Sequence, residues 1–154
     1  MKPFKFKLES VLNLRERAEA EAQQSHAAAG RRLEAILRDL NEAEEEHKRL
    51  NQQLAGIQRS SFRPAEREIL WNALKYQKDL CGQLALKMDA ARKELEVKRQ
   101  ALLDARRDHE AMMKMQEKDL LEHTRLAQQE EALMIDDIVS ARHSARRRNG
   151  GANL

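Results

Sequence analysis

The sequence predicts an all-α protein, a long antiparallel two-helix coiled coil (a helical hairpin) in which helix 2 is longer than helix 1. Three observations predict it. Apolar residues return every three, then four positions along two long stretches, the spacing of one face of a coiled-coil helix. Of the 154 residues, 36% are charged and only 3% aromatic, too few bulky side chains for a compact core. A single short break, Ser60-Ser61-Phe62-Arg63-Pro64, separates the stretches. High charge with few aromatics also describes disordered chains, but sustained heptads argue against disorder here.

Helix 1 is expected over about 4–59. Residues 1–7 alternate Phe4 and Phe6 with Lys5 and Lys7, a short-strand pattern that leads straight into helix signals and is read as a helix entry. Leu8, Val11, Ala18, Ala22, Ala29, Leu33, Ile36, Leu40, Ala43, Leu50, Leu54 and Ile57 then carry the seam. A step of four and four around Ala29 is a stutter, which relaxes the supercoil. Gly30 beside it costs about 1 kcal/mol against Ala.

The turn is expected at 60–63. Pro64 biases Arg63 out of the helical region and itself suits a first helical turn. Glu66 and Glu68 complement the helix N-terminus. Helix 2, about 64–143, carries Leu70, Leu74, Cys81, Leu84, Met88, Ala91, Leu95, Leu102, Ala105 and Met112, with Gln77, Lys98 and His109 in the same spacing. Residues 1–145 form one hairpin domain, and 146–154 read as a disordered basic tail.

A short break joins antiparallel neighbours, and facing residues then have numbers of constant sum. With 124 as that sum, Leu54 faces Leu70, Leu50 faces Leu74, Leu40 faces Leu84, Ile36 faces Met88, Val11 faces Met113 and Phe4 faces Leu120. The other layers match in kind: Ala43 with Cys81, His47 with Gln77, Arg15 with His109. Large residues repeatedly meet small ones, which fills a narrow seam, and polar layers set register at a cost in stability. Helix 1 runs out near residue 120, so 121–140 overhang with Leu126, Leu133, Met134, Ile135, Ile138 and Val139.

Composition bounds the function. Net charge is +3, but Lys2, Lys5 and Lys7 supply +3 at the start and Arg142, Arg146, Arg147 and Arg148 supply +4 at the end, which leaves the body at −4. The lone Cys81 excludes an internal disulfide and suits a reducing compartment. No run of ~18 apolar residues exists to span a membrane, and the basic start lacks the apolar core and cleavage site of a signal peptide. No phosphate-cradling loop, nucleophile elbow or metal-ligand spacing occurs. The register sets none of His26, His47, His109, His123 and His143 opposite another. No enzyme activity, cofactor or metal is therefore expected. Cys81 and Met112 with Met113 read as seam filling, and Met115 as surface.

Two surfaces remain as candidates for binding. Phe62, Trp71 and Tyr76 lie near the tip, where Trp71 flanks Leu70; it serves either as an interface anchor or as a cap on the seam. The overhang needs a partner, another protein or a second copy, or else frays. The terminal arginines suit nucleic acid or anionic lipid, but no stacking aromatic lies beside them, and a solvated tail is the reading adopted. No nucleic-acid partner is expected.

Phe4-Lys-Phe-Lys-Leu-Glu-Ser-Val-Leu-Asn-Leu-Arg-Glu-Arg17 resembles the opening signature of the FliJ family of flagellar export proteins. Leu102-Leu-Asp-Ala-Arg-Arg-Asp-His109 and Met113-Lys-Met-Gln-Glu-Lys118 are similar, less distinctively, to that family's second helix. The arginine-rich, glycine-containing tail is not part of the resemblance, and nothing is carried over to it. The resemblance implies a component of the flagellar type III export apparatus, tied to bacterial flagellum biogenesis and motility. The family folds as an antiparallel two-helix coiled coil, similar to the central stalk of rotary ATPases. It implies as partners the hexameric flagellar export ATPase, the cytoplasmic part of the export gate membrane protein and export chaperones. It implies a cytoplasmic location, peripheral to the inner membrane at the flagellar base, without direct membrane insertion.

From the matching segment, Leu8, Val11, Leu12 and Arg15 become the ATPase-facing root. The residue reading adds Leu120, Leu126, Leu133 and Ile138 from the other helix, and nominates Phe62, Trp71 and Tyr76 for a second partner, ~80 Å away by helix rise. The expected function is a non-enzymatic stalk that couples an ATPase ring to a secretion gate. Its rivals are the stalk of a virulence type III secretion system, a homodimeric coiled-coil scaffold and a basic-tailed nucleic-acid binder.

Overall fold

The computed structural model describes residues 2–58 and 63–150. It contains two helices, α1 (Glu9–Gln58) and α2 (Pro64–Gly150), paired as a helical hairpin with α2 the longer. Both helix starts follow from local chemistry. The Leu8 carbonyl accepts from the Leu12 N–H, and Glu9 stands in the first turn of α1, where its charge complements the helix dipole. Before α2, the Arg63 carbonyl accepts from the N–H groups of Glu66 and Arg67. Pro64 begins the helix at a position whose N–H has no intrahelical acceptor to lose.

Two boundaries differ from the sequence expectation. Helix 1 begins at Glu9 rather than near residue 4, and residues 2–6 are neither helix nor strand. A turn closed by Glu9 N–H to Phe6 C=O, 3.3 Å, redirects the chain into α1. Helix 2 continues beyond 143 to Gly150. The expected turn 60–63 and Phe62 lie, except for Arg63, outside the described residues.

Residues Ala18–Arg106 form one compact unit. Leu40 and Ala43 of α1 bury with Leu84 of α2, and Leu80, Cys81 and Met88 pack against them. Leu50 and Leu54 bury with Leu74, flanked by Leu70 and Ala73. The α1 numbers rise while the α2 numbers fall, so the helices are antiparallel, in the register of constant sum 124. Ala29, Ala91 and Leu102 are buried as well. The alternation of Ala with Leu fills the seam without forcing the backbones apart. Among the described residues, no polar or charged residue is buried, but Gln77 Oε1 is a shielded atom without a hydrogen-bond partner. His47, placed opposite Gln77 by the register, instead engages Asn51 through Nδ1 at 3.4 Å. An unpaired buried acceptor costs about 1–3 kcal/mol.

Ion pairs flank this seam. Arg32 reaches Glu94 at 2.7 Å and Arg106 reaches Glu19 at 3.5 Å. The arginine side chains keep half or more of their surface in solvent, so each pair contributes about 0.2–1 kcal/mol and mainly disfavours slipped registers. Within α1, hydrogen bonds from Arg49 at 2.6 and 2.9 Å hold the Glu46 carboxyl below the usual carboxylate range. Its small contribution is present above that range and is lost as pH falls through the lowered value.

Residues Met1–Arg17 and Arg107–Leu154 form the second unit. Here Arg15 pairs with Asp108 at 3.0 Å, one residue from the expected His109. Met112 is half-buried in line with Ala105 and His109, whereas Met113 is half-exposed. This corrects the expectation that both methionines fill the seam. Adjacent helix positions diverge by ~100°, so only one can face inward. Met115 is on the surface as expected.

Gly30, Gly56 and Gly82 all sit in helix with open space where a Cβ would stand, and none has a positive φ. Gly30→Ala and Gly82→Ala are each expected to stabilise the hairpin by about 0.5–1 kcal/mol, through lower chain entropy in the unfolded state. The register sets Gly82 level with Glu42, about 18 Å along α1 from Gly30, so the double substitution should add. Urea titration followed by circular dichroism measures it; a destabilised Gly82→Ala would contradict the open space seen beside it.

Candidate partner-binding surfaces

Among the described residues no cluster of His, Cys, Asp and Glu is arranged to hold a metal. No described helix is long and apolar enough to cross a membrane. The chemistry this chain presents is therefore on its faces.

The first face is in the unit that joins the chain start to the second half of α2. Because residues 2–8 are not helical, they cross α2 as a strap. Phe6 is only 6% exposed, the most buried aromatic ring described. Phe4 meets the His123 ring edge-on at 5.5 Å and 64°. His123 Nε2 donates to the Lys2 carbonyl at 3.2 Å, which requires the tautomer protonated at that nitrogen. Lys2, Lys5 and Lys7 line a groove with Asp119, Glu122 and Leu126. On the other side of Phe4, Met113 and Leu120 line a second shallow groove. Burying Phe6 contributes about 2 kcal/mol, and the ring pair about 0.5–1.5.

The expected root residues all belong to this unit. Leu8 is just exposed, Val11 and Leu12 are half-buried, and Arg15 is held by Asp108. Leu120, Leu126, Leu133 and Ile138 are all exposed, as are Met134, Ile135 and Val139. Helical geometry sorts these into two faces. Leu126 and Leu133 lie two turns apart, in line with Glu122, Glu130 and Asp137. Ile135, Ile138, Val139 and Arg142 share the i, i+3, i+4, i+7 spacing of a second face. Residues 119–137 hold six carboxylates and a single arginine, a net of −5.

The second face is in the other unit. Trp71 is 61% exposed and lines a groove with Leu74, Lys75 and Lys78 of α2 and His47 and Asn51 of α1. Tyr76 is exposed too, but five residues along a helix turn it ~140° from Trp71, and it does not line that groove. The structure thus separates two residues that the sequence reading grouped, and Phe62 falls outside the described residues.

Sequence reasoning missed the strap and the cations around Trp71. The strap's signal was the Phe-Lys alternation itself, which no helix seam requires. Lys75 and Lys78 follow Trp71 at i+4 and i+7, a spacing that puts them on its face.

Set beside known families, residues 4–148 match the family model described as flagellar FliJ protein. No curated protein matches the chain, and no solved structure does.

Proposed function

The chain belongs to the FliJ family of flagellar proteins, which makes it a component of flagellar type III protein export, and on that premise we propose that it is a non-enzymatic stalk for the export ATPase. The observation that carries this reading is the overhang. Beyond residue 120, α2 exposes a dense set of large apolar side chains on two faces, which water disfavours and a partner would cover. A hexameric ATPase ring offers such a partner, and Leu8, Val11, Leu12 and Arg15 supply the α1 side of the same root.

An asymmetric two-helix element inside a symmetric ring contacts each subunit differently. It biases ring assembly and subunit states only so far as its contact energy differs between those states. The Trp71 groove is proposed for a second partner, the cytoplasmic part of the export gate or an export chaperone, with Tyr76 exposed on a separate face. The protein would act in the cytoplasm at the flagellar base. Parallel pairing of two overhangs as a homodimeric scaffold would set the −5 of residues 119–137 against its own copy, and a monomer mass in solution would weaken the antiparallel alternative.

ATP hydrolysis by the matching export ATPase, measured with full-length chain and with a chain ending at Leu120, tests the proposal. Stimulation by the full chain that disappears with the truncation is the expected result. Stimulation that survives would move the contact to the α1 root. No stimulation and no binding would refute the ATPase assignment and leave the hairpin intact.

A further inference from the structure

The N-terminal strap occupies part of the surface that the proposed function assigns to the ATPase. Its chemistry is simple: Lys2, Lys5 and Lys7 alternate with Phe4 and Phe6. The face beneath it is complementary, with Asp119 and Glu122 beside His123 and Leu126. The strap has two anchors on that face, the Lys2 carbonyl on His123 Nε2 and the Phe4 ring on the His123 edge. Leu126 is still half-exposed under it. The same acidic and apolar pattern then continues along α2 through Glu130, Leu133 and Asp137, where no segment of the described chain covers it.

We infer that the N-terminal strap is an internal competitor for the ATPase-binding face of α2, and that the ATPase reaches this face with a segment of the same kind, cations alternating with aromatic or aliphatic side chains. The inference rests on the reading that the overhang receives the ATPase. It adds the chemistry of the contacting segment and a step of self-release before full engagement. Charge complementarity and continuity with the strap contact argue for that occupant: a face already matched to a basic aromatic peptide extends for three further helical turns. A second copy would set this acidic face against itself unless it exchanged its own strap, and exchange would show as a dimer of the parent chain that the Phe4→Ser/Phe6→Ser variant lacks, which would overturn the ATPase as occupant.

Release of the strap is tested with Phe4→Ser/Phe6→Ser in the full-length chain, where both changes precede α1 and circular dichroism should show unchanged helicity. Two ligands are titrated: the labelled hexapeptide Lys-Pro-Phe-Lys-Phe-Lys and the export ATPase. The variant is expected to bind the peptide saturably, with loss of binding on adding Asp119→Lys/Glu122→Lys. If the strap covers the face about nine-tenths of the time, its release should tighten ATPase binding about tenfold. A variant that binds no peptide overturns the inference. A variant that binds the ATPase no more tightly than the parent also overturns it, while the stalk reading stands. Failure of both chains to bind the ATPase removes the stalk reading and the inference with it.

Discussion

Leu84→Ala is expected to lower the stability of the hairpin by about 2–4 kcal/mol, whereas Leu86→Ala, two residues away, should change it by less than about 0.5 kcal/mol. The two leucines share a helix and a propensity. They differ in what lies over them: Leu84 is 8% exposed and packs with Leu40 and Ala43, and Leu86 is 72% exposed. Truncating Leu84 removes its transfer energy and leaves a void, because Leu40 opposite is already packed and Ala43 beside it is too small to fill the gap. A two-helix seam has no second layer that can collapse into the gap. Thermal and urea melts followed at the helical circular-dichroism band measure both variants. A reversed order of losses would mean that the seam register is wrong, since a slip that exchanged the faces would expose Leu84 and bury Leu86.

Leu133→Ser/Ile138→Ser should have the opposite signature: an unchanged melt and a large loss of ATPase binding. Both side chains are more than half exposed and lie on different faces of α2, so they contribute little to the hairpin's own stability. Truncation of a well-packed apolar anchor at an interface costs about 1–2 kcal/mol. Two such losses weaken binding roughly thirtyfold to several-hundredfold, and stimulation of hydrolysis at fixed concentration falls with it. Binding that survives both substitutions would move the contact off the overhang and onto Leu8, Val11, Leu12 and Arg15. A loss of helicity would instead show that the overhang packs on something within the chain.

What was legible in the sequence was whatever depends on the helical period alone. The two stretches of three-and-four spacing, the single break before Pro64 and the constant sum of facing residues together predict the antiparallel hairpin. Leu40 with Leu84 and Leu50 with Leu74 are packed as that arithmetic requires. The family was legible as well, because the signature from Phe4 to Arg17 is a run of residue types rather than a spacing that any coiled coil would show, and residues 4–148 match the family model. The exposed overhang followed from a difference in helix length.

What only the tertiary structure decided lies where local pattern admits two answers. Phe4-Lys5-Phe6-Lys7 has period two, yet it is neither strand nor helix. It is a strap, because Phe6 finds burial and Phe4 finds His123 on a helix more than a hundred residues away in sequence. Met112 and Met113 are equally apolar, and only the packing of α2 against α1 selects Met112 for the seam. Trp71 and Tyr76 are neighbours in sequence, but helical rotation divides them, and His47 and Asn51 of α1 complete the groove beside Trp71 alone. Periodicity specifies which residues of a helix face the same way, but only a second element determines which of those faces is covered.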